Sequence, residues 1–145
     1  MYRIETATPD RMDEIRCLFR EYAASLSVDL CFQNFSTELA GLPGSYDPIV
    51  AIRQAACVAL RPLTRSIAEM KRLYVRPEHR GKGLGRRLAE SIIQAARDRG
   101  YRAIRLDSLP EMQDAIDLYR QLGFREISSY CENPVPGAVF MELSL

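Results

Sequence analysis

Residues 69–87 read Glu-Met-Lys-Arg-Leu-Tyr-Val-Arg-Pro-Glu-His-Arg-Gly-Lys-Gly-Leu-Gly-Arg-Arg, and their reading decides the fold. Met70 to Val75 alternates and is rich in β-formers, which predicts a strand. Pro77 cannot donate to a ladder and ends it. Gly81, Gly83 and Gly85 then fall at alternate positions. A helical stripe of Leu84, Leu88, Ile92, Ala95 and Ala96 follows, which predicts a helix over about Leu84 to Arg99 with Gly100 as its stop. Glycines at the mouth of a helix let backbone N–H groups approach an anion, and the helix dipole adds favourable potential there. Arg80, Lys82, Arg86 and Arg87 add positive charge beside those amides. The stretch reads as a phosphate cradle.

Three glycine-rich phosphate loops compete for it. A Walker loop needs a glycine five positions before Gly81 and a hydroxyl after Lys82, and neither is present. A dinucleotide fingerprint, Gly-x-Gly-x-x-Gly/Ala, begins at Gly81 and Gly83 but meets Arg86, which obstructs close packing of helix on strand. Asp107, near the distance of a ribose-binding acid, keeps it as an alternative. The third pattern, Arg/Gln-x-x-Gly-x-Gly/Ala directly after a strand, is satisfied by Arg80, Gly83 and Gly85.

Outward from this stretch, the chain supplies strands and helices in a consistent order. Tyr2, Ile4 and Thr6 alternate with charged residues as a first strand. Thr8-Pro9-Asp10 has the chemistry of a helix start, a capping hydroxyl followed by proline and an acid. Met12, Ile15, Leu18, Phe19, Tyr22 and Leu26 continue as a buried helical stripe. Phe35 to Leu42 suggests a short helix before Pro43, and Phe32 and Phe35 are candidates for core or for a pocket wall. Two strands follow at 49–52 and 55–60, joined by a turn at Arg53-Gln54 that lacks Asn-Gly chemistry. Beyond Gly100, Tyr101 to Leu106 makes a parallel crossover with the strand before the loop. A helix carrying Met112, Ala115, Ile116, Tyr119 and Leu122 ends at Gly123, and strands follow at 124–128 and 139–143.

The 145 residues make one domain, 1–145, with 47% hydrophobic and 27% charged residues. A net charge of +1 and basic residues without interleaved aromatics argue against a nucleic-acid partner. No apolar run reaches the ~20 residues that span a bilayer, so no membrane partner is expected. Cysteines at 17, 31, 57 and 131 lack paired metal spacing and there is one histidine, so no metal is expected and the thiols read as reduced, in a cytoplasmic protein.

A second signature, Ala115-Ile116-Asp117-Leu118-Tyr119-Arg120-Gln121-Leu122-Gly123-Phe124, lies one helix and one strand after the loop. Together the two signatures resemble the GNAT-type N-acetyltransferase superfamily, whose order of elements matches nearly the whole chain. The resemblance implies an α+β GNAT fold, a mixed, mostly antiparallel sheet of about six to seven strands flanked by about four helices. It implies that acetyl-CoA is the co-substrate, with its pyrophosphate on amides across Gly81, Lys82, Gly83, Leu84, Gly85 and Arg86, beside Arg80. Its pantetheine arm would lie between splayed fourth and fifth strands, on backbone groups of Leu73 and Val75. Relatives carry Asn where this chain has Met112, which cannot donate a hydrogen bond, so that contact is absent here or made by nearby backbone around Ser108. Tyr119 matches the family's tyrosine that protonates the leaving sulfur. Glu69 lies where some members place a glutamate base. The implied function is acetyl transfer to a small-molecule amine, with a homodimer left open. The alternative is a regulatory protein that binds acyl-CoA without turnover. The acceptor site would be built from residues 27 to 46 and 129 to 138.

Overall fold

The computed structural model describes residues 2–30 and 34–145. Its strands are β1 (Ile4–Thr6), β2 (Ile49–Ile52), β3 (Ala56–Pro62), β4 (Ile67–Val75), β5 (Ala103–Ser108), β6 (Arg125–Ile127) and β7 (Val139–Ser144). Four α-helices accompany them: α1 (Met12–Ala24), α2 (Phe35–Ala40), α3 (Leu84–Asp98) and α4 (Gln113–Gln121). The strands form one sheet in the order β1-β2-β3-β4-β5-β7-β6. All neighbours are antiparallel except β4 and β5, which α3 joins as a parallel crossover. This is the α+β architecture that the order of elements implies.

The sheet is covered on both faces. On one, Val58, Leu60, Met70, Ile104 and Leu106 pack with Leu88 and Ile92 of α3 and Ile116 and Tyr119 of α4. On the other, Ala51, Cys57, Ala59 and Tyr74 pack with Ile15, Leu18 and Phe19 of α1. Phe35 packs at the edge of this second cluster. Cys31 and Phe32 lie outside the described residues.

Several boundaries differ from the sequence reading for identifiable reasons. Thr8 caps no backbone amide. Its hydroxyl donates to the side chain of Asp10, and a single 3-10 turn at Pro9–Arg11 leads into α1. The β3–β4 ladder extends further than alternation suggested, because Arg61 and Glu69 face each other in it and make an ion pair at 2.8 Å. The turn after β2 is held from outside: Gln54, at φ 58°, donates its N–H to Glu14 at 2.7 Å and accepts Arg76 at its carbonyl, also at 2.7 Å. Those bonds replace the turn chemistry that Asn-Gly would have supplied.

One irregularity shapes everything downstream. The β3–β4 register shifts between Cys57 and Ala59, so that Arg72 and Leu73 together oppose Val58. Arg72 sits at φ 64°, a left-handed conformation that costs a non-glycine residue about 1–2 kcal/mol. Its guanidinium is buried and bidentate to Glu38 of α2, at 2.9 and 2.8 Å, and lies 5.1 Å over the ring of Phe35. Its carbonyl accepts the Cys57 thiol at 3.4 Å. The extra residue switches the strand's alternation. Glu69 and Lys71 face the α1 side before it, whereas Leu73 and Val75 join the α3 side after it and Tyr74 takes the α1 side.

Glu38→Ala strands a buried guanidinium and is expected to destabilise the fold by about 3 kcal/mol in chemical denaturation. The double variant Arg72→Met/Glu38→Gln, which leaves no unpaired charge, is expected to lose less. Equal loss in the two would show that the pair does not hold the bulge.

Candidate active site

β4 and β5 pair only at Ile67–Ala103, Ala68–Ile104 and Glu69–Arg105. β4 then runs on to Val75 while β5 continues to Ser108 against β7 alone, so the two strands separate. Arg76 donates its N–H to Ala55 on the β3 side at 2.8 Å. Backbone groups alternate along a strand, so those of Val75 point into the gap. Its carbonyl there accepts Nε of Arg80 at 2.9 Å.

The gap opens into a cleft of about 800 Å³. Leu73, Val75, Arg80, Gly81, Gly83, Leu84, Gly85 and Arg86 line it, with His79, Tyr22, Leu26, Met112 and the face of α4. α3 begins at the cleft with Gly83 as its N-cap and no side-chain cap. Its first turn carries no acid, and its first backbone bond runs from Arg87 to the carbonyl of Gly83 at 3.2 Å. The amides of Leu84, Gly85 and Arg86 therefore have no helical acceptor. Gly81 and Gly83 have φ of 77° and 74°, and a Cβ on either would meet nothing within 4 Å. Backbone conformation, not crowding inside the protein, demands glycine there. Gly85 has an ordinary helical φ, and its Cβ would rest 3.8 Å from Leu118.

The basic side chains divide. Arg86 reaches Gln121 of α4 across the cleft, and Arg80 lies 5.9 Å over the ring of Tyr74. Lys82 turns away to the hydroxyl of Tyr2 at 3.0 Å and does not line the cleft. The same hydroxyl meets Nδ1 of His79 at 2.9 Å, so Tyr2 braces the loop from behind. Open amides, positive φ and flanking arginines fit a phosphate-bearing ligand.

Off the cleft lies a smaller cavity of about 40 Å³, which shares Tyr22, Leu26, Leu73 and Met112 with it. Its wall comes from both faces of the sheet. Met70, Leu106 and Tyr119 belong to the α3–α4 side, whereas Lys71, Asp107 and Asn133 belong to the other. The cavity occupies the gap between β4 and β5, a passage walled from both sheet faces. Tyr119 is 6% exposed and packs against Phe124 with ring centroids 5.7 Å apart. Burial, then Tyr22 and Asp107, push its phenol well above the usual range. Its hydroxyl has no hydrogen-bond partner among the described residues. Ser108 Oγ, also in the wall, is buried with no partner. Lys71 pairs with Asp107 at 3.5 Å, and Asn133 donates to the same carboxylate at 3.1 Å. The Cys131 thiol lies 3.9 Å from it, and burial followed by Asp107 pushes that thiol up to about 11.

Tyr119, Ser108, Leu73 and the 80–86 loop are thus brought together, apart from Lys82. Glu69 is not brought to them. It is 2% exposed, ion-paired to Arg61, accepts the hydroxyl of Tyr130 at 2.6 Å, and lines neither cavity. The sequence reading missed Lys71, had Asn133 only within the 129–138 stretch of the acceptor site, and considered Asp107 only for a ribose. The signal was available: Glu69 and Lys71 are charges at alternate positions inside a strand whose other residues are mostly apolar.

The chain matches the acetyltransferase (GNAT) family over residues 13–124 and belongs to that family. It is 38% identical to an uncharacterised N-acetyltransferase of Schizosaccharomyces pombe, over 94% of this chain and 90% of that one. An uncharacterised N-acetyltransferase of Dictyostelium discoideum is 28% identical over 94% and 95%. Among solved structures, a proposed acyl-CoA N-acyltransferase from Klebsiella pneumoniae superposes with a TM-score of 0.80 and 28% identity, covering 100% of this chain and 98% of that one. A Salmonella typhimurium structure containing its cofactor acetyl-CoA has the same fold, with a TM-score of 0.72 and 21% identity over 99% and 94%. The class is that of acyltransferases. Among the described residues no group of His, Cys, Asp and Glu could hold a metal ion, and no helix is long and apolar enough to cross a membrane.

Replacing Gly83 by Val forces a β-branched residue to positive φ and is expected to lower both the melting temperature and acetyl-CoA affinity. Gly85→Ala keeps the fold and melts at or slightly above the parent, because alanine favours the helix. Calorimetric titration of both variants with acetyl-CoA separates loop conformation from ligand approach.

Proposed function

We propose that the protein transfers the acetyl group of acetyl-CoA to the amine of a small molecule by direct attack. The observation that carries this reading is the cavity between β4 and β5, which adjoins the cleft, is walled from both sheet faces and has Tyr119 in its wall. Acetyl-CoA supplies the acetyl group as an activated thioester. The amides of Leu84, Gly85 and Arg86 hold its pyrophosphate, with Arg80 and Arg86 beside them. The gap-facing backbone of Leu73 and Val75 holds the pantetheine arm as an added strand would be held. Ser108 offers the hydroxyl donor that Met112 lacks.

Tyr119 gives a proton to the departing sulfur. Its phenol, raised by burial, keeps that proton throughout the neutral range. No alkaline loss of activity is therefore expected from it below pH ~10. Asp107 is the carboxylate in the passage wall and receives the proton of the attacking amine. Glu69, enclosed by Arg61 and Tyr130, fastens the loop before β7 to the sheet. The free thiols of Cys17, Cys57 and Cys131 fit a reducing compartment such as the cytoplasm.

Tyr119→Phe is expected to lower kcat about 100-fold while melting temperature and acetyl-CoA affinity change little. A large loss of stability with normal turnover would make Tyr119 a core residue alone. Asp107→Asn should lower kcat about 100-fold with acetyl-CoA affinity little changed, whereas Glu69→Gln should lower the melting temperature and leave turnover near the parent's. The reverse pattern would give the base role to Glu69. Tight acetyl-CoA binding without transfer to any amine would favour a regulatory acyl-CoA-binding protein.

A further inference from the structure

The acceptor half of the passage contains a cation whose bonding is incomplete. Lys71 stands on β4 one residue before Arg72, with its side chain 7% exposed. Its ammonium carries three donors. Within the described residues it makes one ionic contact, to Asp107 Oδ1 at 3.5 Å, longer than the ~2.7–2.9 Å of a charge-assisted hydrogen bond. The neighbouring cations on this face are better served: buried Arg72 is bidentate to Glu38, and half-buried Arg61 lies 2.8 Å from Glu69. Lys71 lines the cavity, and the orphan hydroxyl of Ser108 lines it too.

The charges of that wall discriminate between classes of amine. Lys71 and Asp107 contribute one charge of each sign to it, Asp107 being the one carboxylate among its described residues, and Arg72 is already neutralised by Glu38. That carboxylate is already shared by Lys71 and Asn133. A polyamine or other purely cationic acceptor brings more positive charge to a wall with none to spare. An α-amino acid brings an ammonium and a carboxylate on one carbon, the complement of the Lys71–Asp107 pair.

We infer that the acceptor is an α-amino acid, its carboxylate taken by Lys71 and its amine presented to Asp107. The inference rests on the acetyl-transfer reading above and names the substrate class of that site.

The test uses matched pairs that differ only in the carboxylate: alanine with ethylamine, phenylalanine with phenethylamine, and lysine with cadaverine. Alaninamide separates charge from size, and the dipeptide Ala-Ala separates a free amino acid from a peptide N-terminus. Calorimetry on CoA-saturated protein reads binding, and CoA release from acetyl-CoA reads transfer. At least one amino acid should bind about tenfold or more tightly than its decarboxylated partner, as loss of a hydrogen bond to a charged group implies. Lys71→Met should bring that ratio to within about twofold, while Lys71→Arg, which keeps the charge, retains most of it. The inference is overturned if amines match or exceed their amino acids, if alaninamide or Ala-Ala exceeds alanine, if no amino acid binds, or if Lys71→Met leaves the ratio unchanged. A separate acetyl-CoA titration of the parent keeps the two readings apart. Failure there removes acetyl transfer itself, whereas normal acetyl-CoA affinity with preference for plain amines removes only the amino-acid class. Should Lys71→Met not fold, Lys71→Arg and the parent's panel still decide the matter.

Discussion

The ion pair between Arg72 and Glu38 is the constraint on which the rest of the structure depends. A central strand does not readily hold a residue at φ 64°. Here a buried bidentate bond from α2 and the ring of Phe35 keep it there. The extra residue reverses the side-chain alternation of β4, which places apolar Leu73 and Val75 on the α3 side and leaves Lys71 on the other. It lies in the part of β4 that has already left β5. Without it, Leu73 and Val75 would fall on the α1 side, and Arg72 and Tyr74 on the α3 side.

Charge inside the sheet is organised in pairs around this break. Arg61–Glu69 lies where β4 still pairs with β5, and Lys71–Asp107 lies just past the point of separation. The segment before β7 is tied to both: Tyr130 donates to Glu69, and Asn133 donates to Asp107. An otherwise irregular segment is thereby fixed against the sheet by two carboxylates. Burial and the neighbouring Glu69 hold the Tyr130 phenol above its usual range, so it remains a donor to that carboxylate.

How far the sequence could be read depended on the range of the interactions involved. The glycine loop is local: positive φ at Gly81 and Gly83 and a helix starting at Leu84 are written in consecutive residues. That Tyr119 lies on the inward face of a helix was legible for the same reason. The bulge was not, because Arg72 is held by Glu38, 34 residues away. Glu69 looked like a site residue by its position on the strand, but the direction of its side chain depends on Arg61 and Tyr130, which no local pattern announces. Lys71 and Asp107 meet only because a crossover brings β4 beside β5.

The two sides of the passage are encoded by different parts of the chain. The cleft side draws on the contiguous loop at 79–86 and on α4. The opposite side draws on Tyr22, Leu26 and Leu30 near the end of α1, on Lys71 and Asp107, and on Asn133 from the segment before β7. Few residues serve both, so substitutions that reshape one side leave the backbone geometry of the other intact. Such a division gives a lineage freedom to change what enters from one face while the machinery at the other face stays fixed.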